Sequence, residues 1–356
     1  MAQTDNPPSK TFQPHQPLQP HQPPQPLQPL QSQQASQTPQ NPLITVDNLT
    51  KRFGDLVAVD NLSFTVQRGE IFGFLGPNGA GKSTTLSIIA SLLSYDKGEI
   101  TVGSYSLARD ARKIKAQIGL VPQEIALTGN LSARENIAFF AGLYGLRGKT
   151  LKAAITRALA FVGLAEHAKT RVNKMSGGMK RRLNIACGIA HDPRIIILDE
   201  PTVGVDAQSR EHIMNSIRTL RDNGATIIYT SHYMPEVQEI CDRIAIIDHG
   251  KLVAIGTEEE LLEAVTDVKG IVIRARFGDE AARATLLEKI KLLPDVRHAS
   301  FDQEEEALRL DVALNFDDLT PLMNVLVSQG VSVESLNSEA PNLETTFLAL
   351  TGRELR

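Results

Sequence analysis

The sequence predicts an α/β fold, and three observations support that prediction. Short apolar strand patterns recur between residues 43 and 260, and helical patterns separate several of them. One of these strands ends in a glycine-rich turn that opens a helix, and another ends in two acidic residues. Together these features predict an α/β core.

Composition divides the 356 residues into three segments. Residues 1–42 repeat Gln, Pro, Leu and His, and such a segment buries too little apolar surface to offset its ordering entropy. We expect a disordered tail with a polyproline II bias, and a docking role for this tail stays open. Residues 43–265 carry the α/β pattern, and residues 266–356 form a smaller unit.

Each predicted element follows from the hydrophobic pattern. Strand patterns in the larger segment cover residues 43–49, 62–66, 70–75, 118–121, 195–198, 225–229, 244–247 and 251–255. Helical patterns cover residues 82–93, 131–144, 151–164 and 177–190. The last three break the alternation, so we expect a helical subdomain over about 124–190, inserted between two core strands. The smaller segment reads strand, helix, strand, strand, helix, strand, which suggests a ferredoxin-like α+β domain.

Charge and composition exclude several classes of protein. A formal net charge of -4 gives no attraction to nucleic acid or to anionic lipid. Cys187 and Cys241 lie far apart, which argues against a disulfide framework or a zinc site, and we expect both in helices as small apolar residues. No apolar run reaches the ~18–20 residues of a transmembrane helix, and no secretory signal pattern opens the chain. We expect a cytosolic chain that serves a membrane, if at all, from its surface.

The glycine-rich turn matches the phosphate-binding pattern G-x-x-x-x-G-K-[ST]. Its residues, here called the phosphate loop, are Gly76, Pro77, Asn78, Gly79, Ala80, Gly81, Lys82 and Ser83, and we include Thr84 after them. The loop follows a predicted strand and opens a predicted helix, so its backbone N–H groups and the helix N-terminus would face the β- and γ-phosphates of a bound nucleotide. Lys82 would add a positive charge, and the Ser83 hydroxyl would ligate Mg²⁺.

Two carboxylates end the apolar strand at residues 195–198. Acidic groups at the tip of a buried strand are costly unless they act on something. Asp199 fits a ligand on the Mg²⁺ side, and Glu200 fits the base that orients or deprotonates the attacking water. The loop and the acidic strand together indicate an NTPase without saying which kind.

Five further features resemble the ABC transporter ATPases. Residues 175–180, Met-Ser-Gly-Gly-Met-Lys, look like the signature motif of that family. Ser176 in this motif lies 94 residues after Lys82. Gln123 resembles the family's Q-loop residue, Asp206 its D-loop residue and His232 its switch histidine. Phe53 stands where the family places an aromatic ring against adenine. The resemblance covers about residues 43–260 and implies a P-loop NTPase fold with an antiparallel β subdomain and a helical subdomain.

The resemblance also implies an assembly. Two copies of the chain would face head to tail and enclose two ATP molecules, each between the phosphate loop of one chain and the signature motif of the other. The signature residues at each nucleotide would be Ser176, Gly177 and Gly178. His232 would hold the γ-phosphate, Gln123 would sense Mg²⁺ and water, and Asp206 would link the two sites. Separate permease subunits would span the membrane, and this chain would lie on its cytoplasmic face.

One position departs from the family pattern. The signature usually ends in Gln, and this chain has Met179, which cannot make the hydrogen bonds of an amide. The Gly-Gly-Met-Lys-Arg-Arg-Leu form and the ending at residues 342–352 resemble the ATPases of type-two exporters, whose small C-terminal domain is thought to assist dimerisation or regulation.

Two other classes of nucleotide-binding protein fit the sequence less well. ABC ATPases that act on DNA insert a long coiled coil before the signature, and ribosomal members carry two ATPase units, whereas this chain has neither. The acidic balance also argues against nucleic acid, and the basic residues 180–182 are interpreted as a solvated helix face. A kinase or GTPase lacks the signature motif. The sequence does not identify the transported cargo.

Overall fold

The computed structural model describes residues 42–264, 268–277, 280–302, 307–313, 316, 318–339 and 342–352. The expected disordered tail lies outside these residues, apart from Pro42. No helix within the described ranges combines the length and the apolar character that a bilayer span requires.

A six-stranded sheet forms the centre of the larger segment. Its strands, in spatial order, are β10 (Lys251–Gly256), β9 (Arg243–Asp248), β3 (Ile71–Leu75), β8 (Thr226–Thr230), β7 (Ile195–Asp199) and β6 (Ile118–Val121). Neighbours from β9 to β6 pair in parallel, and β10 is antiparallel. Their carboxyl ends therefore share one edge, where loops from different parts of the chain meet.

Both faces of this sheet are buried. Ile196 and Leu198 of β7 belong to one apolar cluster, and Ile195 and Ile197 belong to another on the opposite side. A strand covered on both faces needs an unbroken apolar run, because successive side chains point to opposite sides. This is why the sequence around residues 195–198 shows no alternation.

An antiparallel sheet, seven helices and the short helix α8 (Glu258–Glu263) complete the described part of the ATPase region. The sheet has the order β2 (Leu56–Val66), β1 (Ile44–Phe53), β4 (Lys97–Val102) and β5 (Tyr105–Ser106). The helices are α1 (Lys82–Ile89), α2 (Leu107–Lys115), α3 (Ala133–Leu143), α4 (Gly148–Phe161), α5 (Gly177–Ile189), α6 (Ala207–Asp222) and α7 (Met234–Ile240). Helix α1 is shorter than the predicted helix at 82–93, because the chain turns at Ser91, which has a φ of 57°.

Helices α3, α4 and α5 follow β6 and precede β7 along the chain. They pack against one another and form the helical subdomain. Helix α3 begins at a capping box, in which Ser132 and Glu135 satisfy each other's backbone N–H groups. The N-cap of α5 is Ser176, whose Oγ accepts a hydrogen bond from the Met179 N–H at 3.2 Å.

The smaller unit has the connectivity that the sequence predicts. Its elements are β11 (Val268–Arg276), α9 (Glu280–Lys291), β12 (Val296–Asp302), β13 (Ala307–Ala313), α10 (Thr320–Ser328) and β14 (Ser332–Glu339). The sheet order is β12-β13-β11-β14, and its described pairs are antiparallel. This order places the first strand of the unit between its third and fourth, and α9 and α10 contribute to one apolar cluster on the sheet.

The last helix does not follow the expected division at residue 265. Helix α11 (Leu343–Thr351) packs against α8 (Glu258–Glu263), α7 and β10 rather than completing the small unit. Leu343 and Phe347 have no exposed surface and belong to the apolar cluster of the ATPase core. The end of the chain thus returns to the ATPase region after building the small sheet.

Candidate functional site

The phosphate loop lies between β3 and α1 and wraps around Lys82. The Lys82 Nζ donates hydrogen bonds to the carbonyls of Gly76, at 2.5 Å, and Pro77, at 3.1 Å. A Cβ at Gly76 would lie 2.3 Å from the Ile247 carbonyl oxygen, so only glycine fits there. Gly81 has a φ of 100°, and a Cβ there would lie 2.5 Å from the Ala58 carbonyl oxygen. The loop therefore depends on close backbone approaches to β2 and β9.

The loop forms the floor of an open pocket of about 350 Å³. The pocket is lined by Phe53, Leu56, Val57, Ala58, residues 77–84, Gln123, Glu200 and His249. The Phe53 ring is 48% exposed, and the Lys51 Nζ lies 5.2 Å from its centroid. An exposed aromatic ring beside a phosphate loop offers a flat surface on which a purine base can stack.

Burial lowers the pKa of Lys82, and the charges of Glu200 and Asp199 oppose that shift. The lysine thus has little water around it and two carboxylates near it. Such an ammonium group would gain strongly from a polyanionic ligand, because triphosphate would replace the lost hydration.

Glu200 lies at the centre of a group of polar side chains at the carboxyl edge of the central sheet. Its Oε2 accepts a hydrogen bond from Gln123 Nε2 at 2.8 Å and lies 3.4 Å from His232 Nδ1. The residue is 5% exposed and has a φ of 46°. A non-glycine residue in this left-handed region costs backbone energy, which is typical of residues that a functional site holds in place.

Asp199 is fixed beside Glu200 through Thr230 on the neighbouring strand. Thr230 Oγ1 donates to Asp199 Oδ1 at 2.7 Å and accepts from the Glu200 N–H at 2.9 Å. One hydroxyl thus orients both acidic residues. Thr230 is not among the predicted site residues, since a Thr at the end of a strand has no distinctive pattern.

The signature residues and Asp206 do not line the pocket of their own chain. Ser176 and Gly177 are exposed at the start of α5. Asp206 is the N-cap of α6 and accepts from the Ser209 N–H at 2.8 Å and its hydroxyl at 2.9 Å. Ser209 also lies against Gly178, so the starts of α5 and α6 are packed together.

Met179 has a structural place in this arrangement. Its side chain packs against the apolar cluster of the ATPase core, and its backbone N–H donates to the Ser176 hydroxyl. A thioether is suited to filling such a gap. The apolar residue therefore takes part in core packing, and the signature retains its serine cap.

The interpretation of residues 180–182 as a solvated face is wrong for Arg181. This side chain is 5% exposed, and its guanidinium donates to the Gln123 carbonyl at 2.7 Å. Further bonds of 3.3 Å reach the carbonyls of Pro122 and Val203. Arg181 thus joins α5 to the segments that carry Gln123 and Glu200. The sequence does not reveal this role, because a charged residue in a helical pattern shows neither the direction of its side chain nor its burial.

The fold and the site define an α/β P-loop ATPase: a phosphate loop after one strand, a pair of acidic residues after another, and a pocket beside them. The comparisons with known proteins agree. The family model described as ABC transporter matches residues 59–203. The linearmycin resistance ATP-binding protein LnrL of Bacillus subtilis is 42% identical over 314 residues, covering 88% of this chain and 100% of that protein.

Other relatives are also described as ATP-binding proteins or subunits. The daunorubicin resistance ATP-binding protein DrrA3 of Streptomyces coeruleorubidus is 35% identical, covering 88% of this chain and 97% of that protein. A solved ATP-binding subunit of an ABC transporter is 26% identical, with a TM-score of 0.58, over 62% of this chain and 92% of that chain. The chain belongs to the ABC transporter ATP-binding proteins, and it is an ATP-hydrolysing subunit of the exporter type.

Proposed function

We propose that this chain forms a head-to-tail homodimer that hydrolyses two Mg²⁺-ATP molecules with Glu200 as general base. The observation that carries the proposal is the convergence of Gln123 and His232 on one carboxylate oxygen of Glu200, at the edge of the phosphate-loop pocket. A base must lie within hydrogen-bond reach of its water, and flanking donors orient both. Lys82 and the loop amides would bind the β- and γ-phosphates.

The second half of each site would come from the partner copy. Ser176 and Gly177 are exposed at a helix N-terminus, where a hydroxyl and free N–H groups favour an anion. They lie outside the pocket of their own chain, so one chain alone would enclose a bound nucleotide only in part. A structural relative, 27% identical with a TM-score of 0.56 over 60% of this chain and 98% of its own, is described as a dimeric post-hydrolysis state bound to ADP and Pi.

The donor set beside the phosphate loop fits Mg²⁺. Ser83, Gln123 and Asp199 offer a hydroxyl, an amide and a carboxylate, and hard cations prefer oxygen ligands. Among the described residues, no cluster of three His, Cys, Asp or Glu residues could hold a metal ion by itself. A Mg²⁺ ion in such a site would take most of its ligands from phosphate and water, so it would need only a few from the protein. Bound Mg²⁺ would neutralise charge on the phosphates, while Glu200 and Gln123 position the water.

Permease subunits would dock on the helical subdomain. Phe139 and Leu143 lie one turn apart on α3 and are 54% and 68% exposed. Ile125, two residues after Gln123, is 40% exposed. Exposed apolar side chains on this subdomain would suit a contact with another protein. This contact would hold the chain on the cytoplasmic face of the membrane and connect the permease to Gln123.

The relatives point to export without a shared cargo. Two are named for resistance to linearmycin and daunorubicin, and another, from Sinorhizobium fredii, is a Nod factor export ATP-binding protein that is 36% identical and covers 88% of this chain and 87% of its own length. Since these relatives are named for different compounds, we assign cargo choice to the permease.

The test compares wild type with Glu200→Gln, and with Glu99→Gln on an exposed position of β4 as the matched control. Removing a general base should lower ATP turnover by about 10²–10⁴-fold, while ATP binding persists and an ATP-bound dimer accumulates on size exclusion. Turnover near the wild-type value in Glu200→Gln would refute the assignment of the base.

A mixing experiment tests the head-to-tail arrangement. Lys82→Ala and Ser176→Ala should each be inactive alone. In a mixed head-to-tail dimer, one of the two sites contains neither substitution, so mixing should restore part of the turnover. Two inactive variants that stay inactive when mixed would contradict a site shared between chains.

A further inference from the structure

A buried carboxylate outside the nucleotide pocket connects the catalytic loops. Glu236 lies in the first turn of α7 and is 3% exposed. Its Oε2 accepts three hydroxyl hydrogen bonds: from Tyr229 at 2.6 Å, Thr202 at 2.7 Å and Ser231 at 3.2 Å. Its Oε1 lies 3.2 Å from Arg210 Nε.

These partners belong to four different parts of the site. Thr202 follows Glu200 by two residues, and Ser231 directly precedes His232. Tyr229 lies near the end of β8, and Arg210 lies one turn into α6, whose N-cap is Asp206. A single carboxylate therefore binds the loop of the proposed base, the loop of the switch histidine and the helix that carries the D-loop residue.

The chemistry of this cluster makes the Glu236 carboxyl group a common acceptor. Three hydroxyl donors meet one oxygen, and a guanidinium faces the other. Burial and the Glu236 carboxylate raise the pKa of Tyr229 well above its ordinary value, so the phenol remains a donor. Thr202, Tyr229 and Ser231 are themselves at most 4% exposed. A buried charge that is fully partnered rigidifies its surroundings, whereas one that loses partners is costly.

The cluster also reaches the surface through Arg210. Its side chain is 41% exposed, and its guanidinium carbon lies 5.1 Å from the ring centroid of Tyr233, the residue after His232. The Tyr233 N–H donates to Ser231 Oγ at 2.9 Å. Both residues that flank His232 are thus held by the Glu236–Arg210 pair, directly or through one contact.

We propose that Glu236 is a positioning residue that holds the loops of Glu200 and His232 in register and connects them to α6. The proposal rests on the roles of Glu200 and His232 given above. Glu236 touches neither the phosphate loop nor the nucleotide pocket. Its effect on hydrolysis is therefore indirect, through Thr202 on one side and Ser231 on the other.

Glutamine at this position keeps the size and removes the charge. If the NH2 of its amide faces Arg210, donors meet donors; if it faces the three hydroxyls, each hydroxyl loses the acceptor for its own O–H. Because small displacements of positioned groups reduce rate, Glu236→Gln should lower kcat about 10- to 100-fold. ATP affinity and KM should stay at the wild-type value, since the pocket residues are unchanged.

The matched control is Glu239→Gln. Glu239 lies one turn further along α7, its side chain is 55% exposed, and its partner Arg218 is on the surface. This variant should keep the wild-type kcat. The assay measures steady-state ATP turnover, ATP affinity with a fluorescent nucleotide, and the melting temperature of each variant.

Thr202→Val and Ser231→Ala separate positioning from folding. Each removes one donor and leaves Glu236 with its other partners, so each should lower kcat several-fold at unchanged ATP affinity and melting temperature. Thr202→Val combined with Glu236→Gln should turn over no more slowly than Glu236→Gln alone, because both act through one contact. These single-donor variants keep the proposal testable if Glu236→Gln does not fold.

The inference is overturned if Glu236→Gln matches Glu239→Gln in kcat, or if its loss of kcat is accompanied by a matching loss of ATP affinity or melting temperature. It is also overturned if Thr202→Val and Ser231→Ala both keep the wild-type kcat. Glu200→Gln, measured beside them, reports separately on the proposed function: full turnover in that variant refutes the base, whatever Glu236 does.

Discussion

Two adjacent signature glycines should respond differently to the same substitution. A Cβ at Gly178 would lie 2.2 Å from Ser209 Oγ and 2.9 Å from Ser209 Cβ. A Cβ at Gly177 would meet only the Gly204 carbonyl oxygen, at 3.9 Å, which is an ordinary contact. Neither glycine has a positive φ, so alanine is conformationally acceptable at both. The difference between the two variants is therefore one of packing.

The size of the effect follows from these distances. The Ser209 hydroxyl can rotate away from an alanine at position 178, and it then loses its 2.9 Å hydrogen bond to Asp206. The 2.9 Å approach of the two Cβ atoms persists in every rotamer, so α5 and α6 must separate. We expect Gly178→Ala to lower the free energy of unfolding by about 1–3 kcal/mol. Gly177→Ala should leave it unchanged or raise it by up to about 0.5–1 kcal/mol, as in other helices.

Urea unfolding of the nucleotide-free protein measures this difference, and a thermal melt should show the same order. ATP turnover completes the assay. Gly177→Ala should lose turnover at full stability, because its methyl group fills the exposed surface that we assign to the partner's phosphates. Gly178→Ala should lose stability in the absence of nucleotide. An equal or higher urea midpoint in Gly178→Ala than in Gly177→Ala would refute the packing argument.

Two further outcomes are expected. Arg181→Lys cannot reach the three carbonyls that the guanidinium fork holds, so kcat should fall about tenfold at unchanged ATP affinity, whereas Lys180→Ala should keep the wild-type kcat. Burial, with a smaller contribution from Glu344, raises the pKa of Asp311 to about 6 from an ordinary 3.8. The folded protein therefore holds this proton more tightly, and stability falls as pH rises from 3.8 through 6. At neutral pH, Asp311→Asn should raise the free energy of unfolding by about 1–2 kcal/mol, allowing for solvent screening, and the gain should vanish below pH 3.8. A gain in urea midpoint that is constant with pH would contradict this linkage.

The parts of the fold that the sequence predicted well are those with local signals. Strand β6 matches its predicted range of 118–121, and α5 matches its predicted range to within one residue, because an apolar run and a capped amphipathic pattern are legible over short windows. The phosphate loop and the acidic pair that contains Glu200 were also found, since each is a contiguous motif, and their roles in the site stay predictions. The predicted helix at 82–93 extended too far, because nothing local shows where the chain turns.

Contacts between distant segments were not predictable. Arg181 and Gln123 are far apart in sequence, and so are Glu236 and Thr202, yet both pairs are bonded in the structure. A charged residue carries the same local pattern whether it is solvated or buried. The family resemblance predicts which groups do the chemistry, but it did not reveal the side chains that hold those groups.

The sequence by itself determined the α/β class, the phosphate loop, the acidic strand and the order of motifs that identifies an ABC ATPase. Each is a short-range property, set by residue type and spacing along one segment. Only the tertiary structure decided that the side chains of Gln123 and His232 contact the Glu200 carboxylate and that Glu236 connects the loops of Glu200 and His232. It also decided that α11 packs on the ATPase core. These arrangements depend on which strand edges and helix faces meet once both sides of the central sheet are covered. Which faces meet depends on burying apolar surface and on giving every buried polar group a hydrogen-bond partner across the whole chain. No single segment determines this.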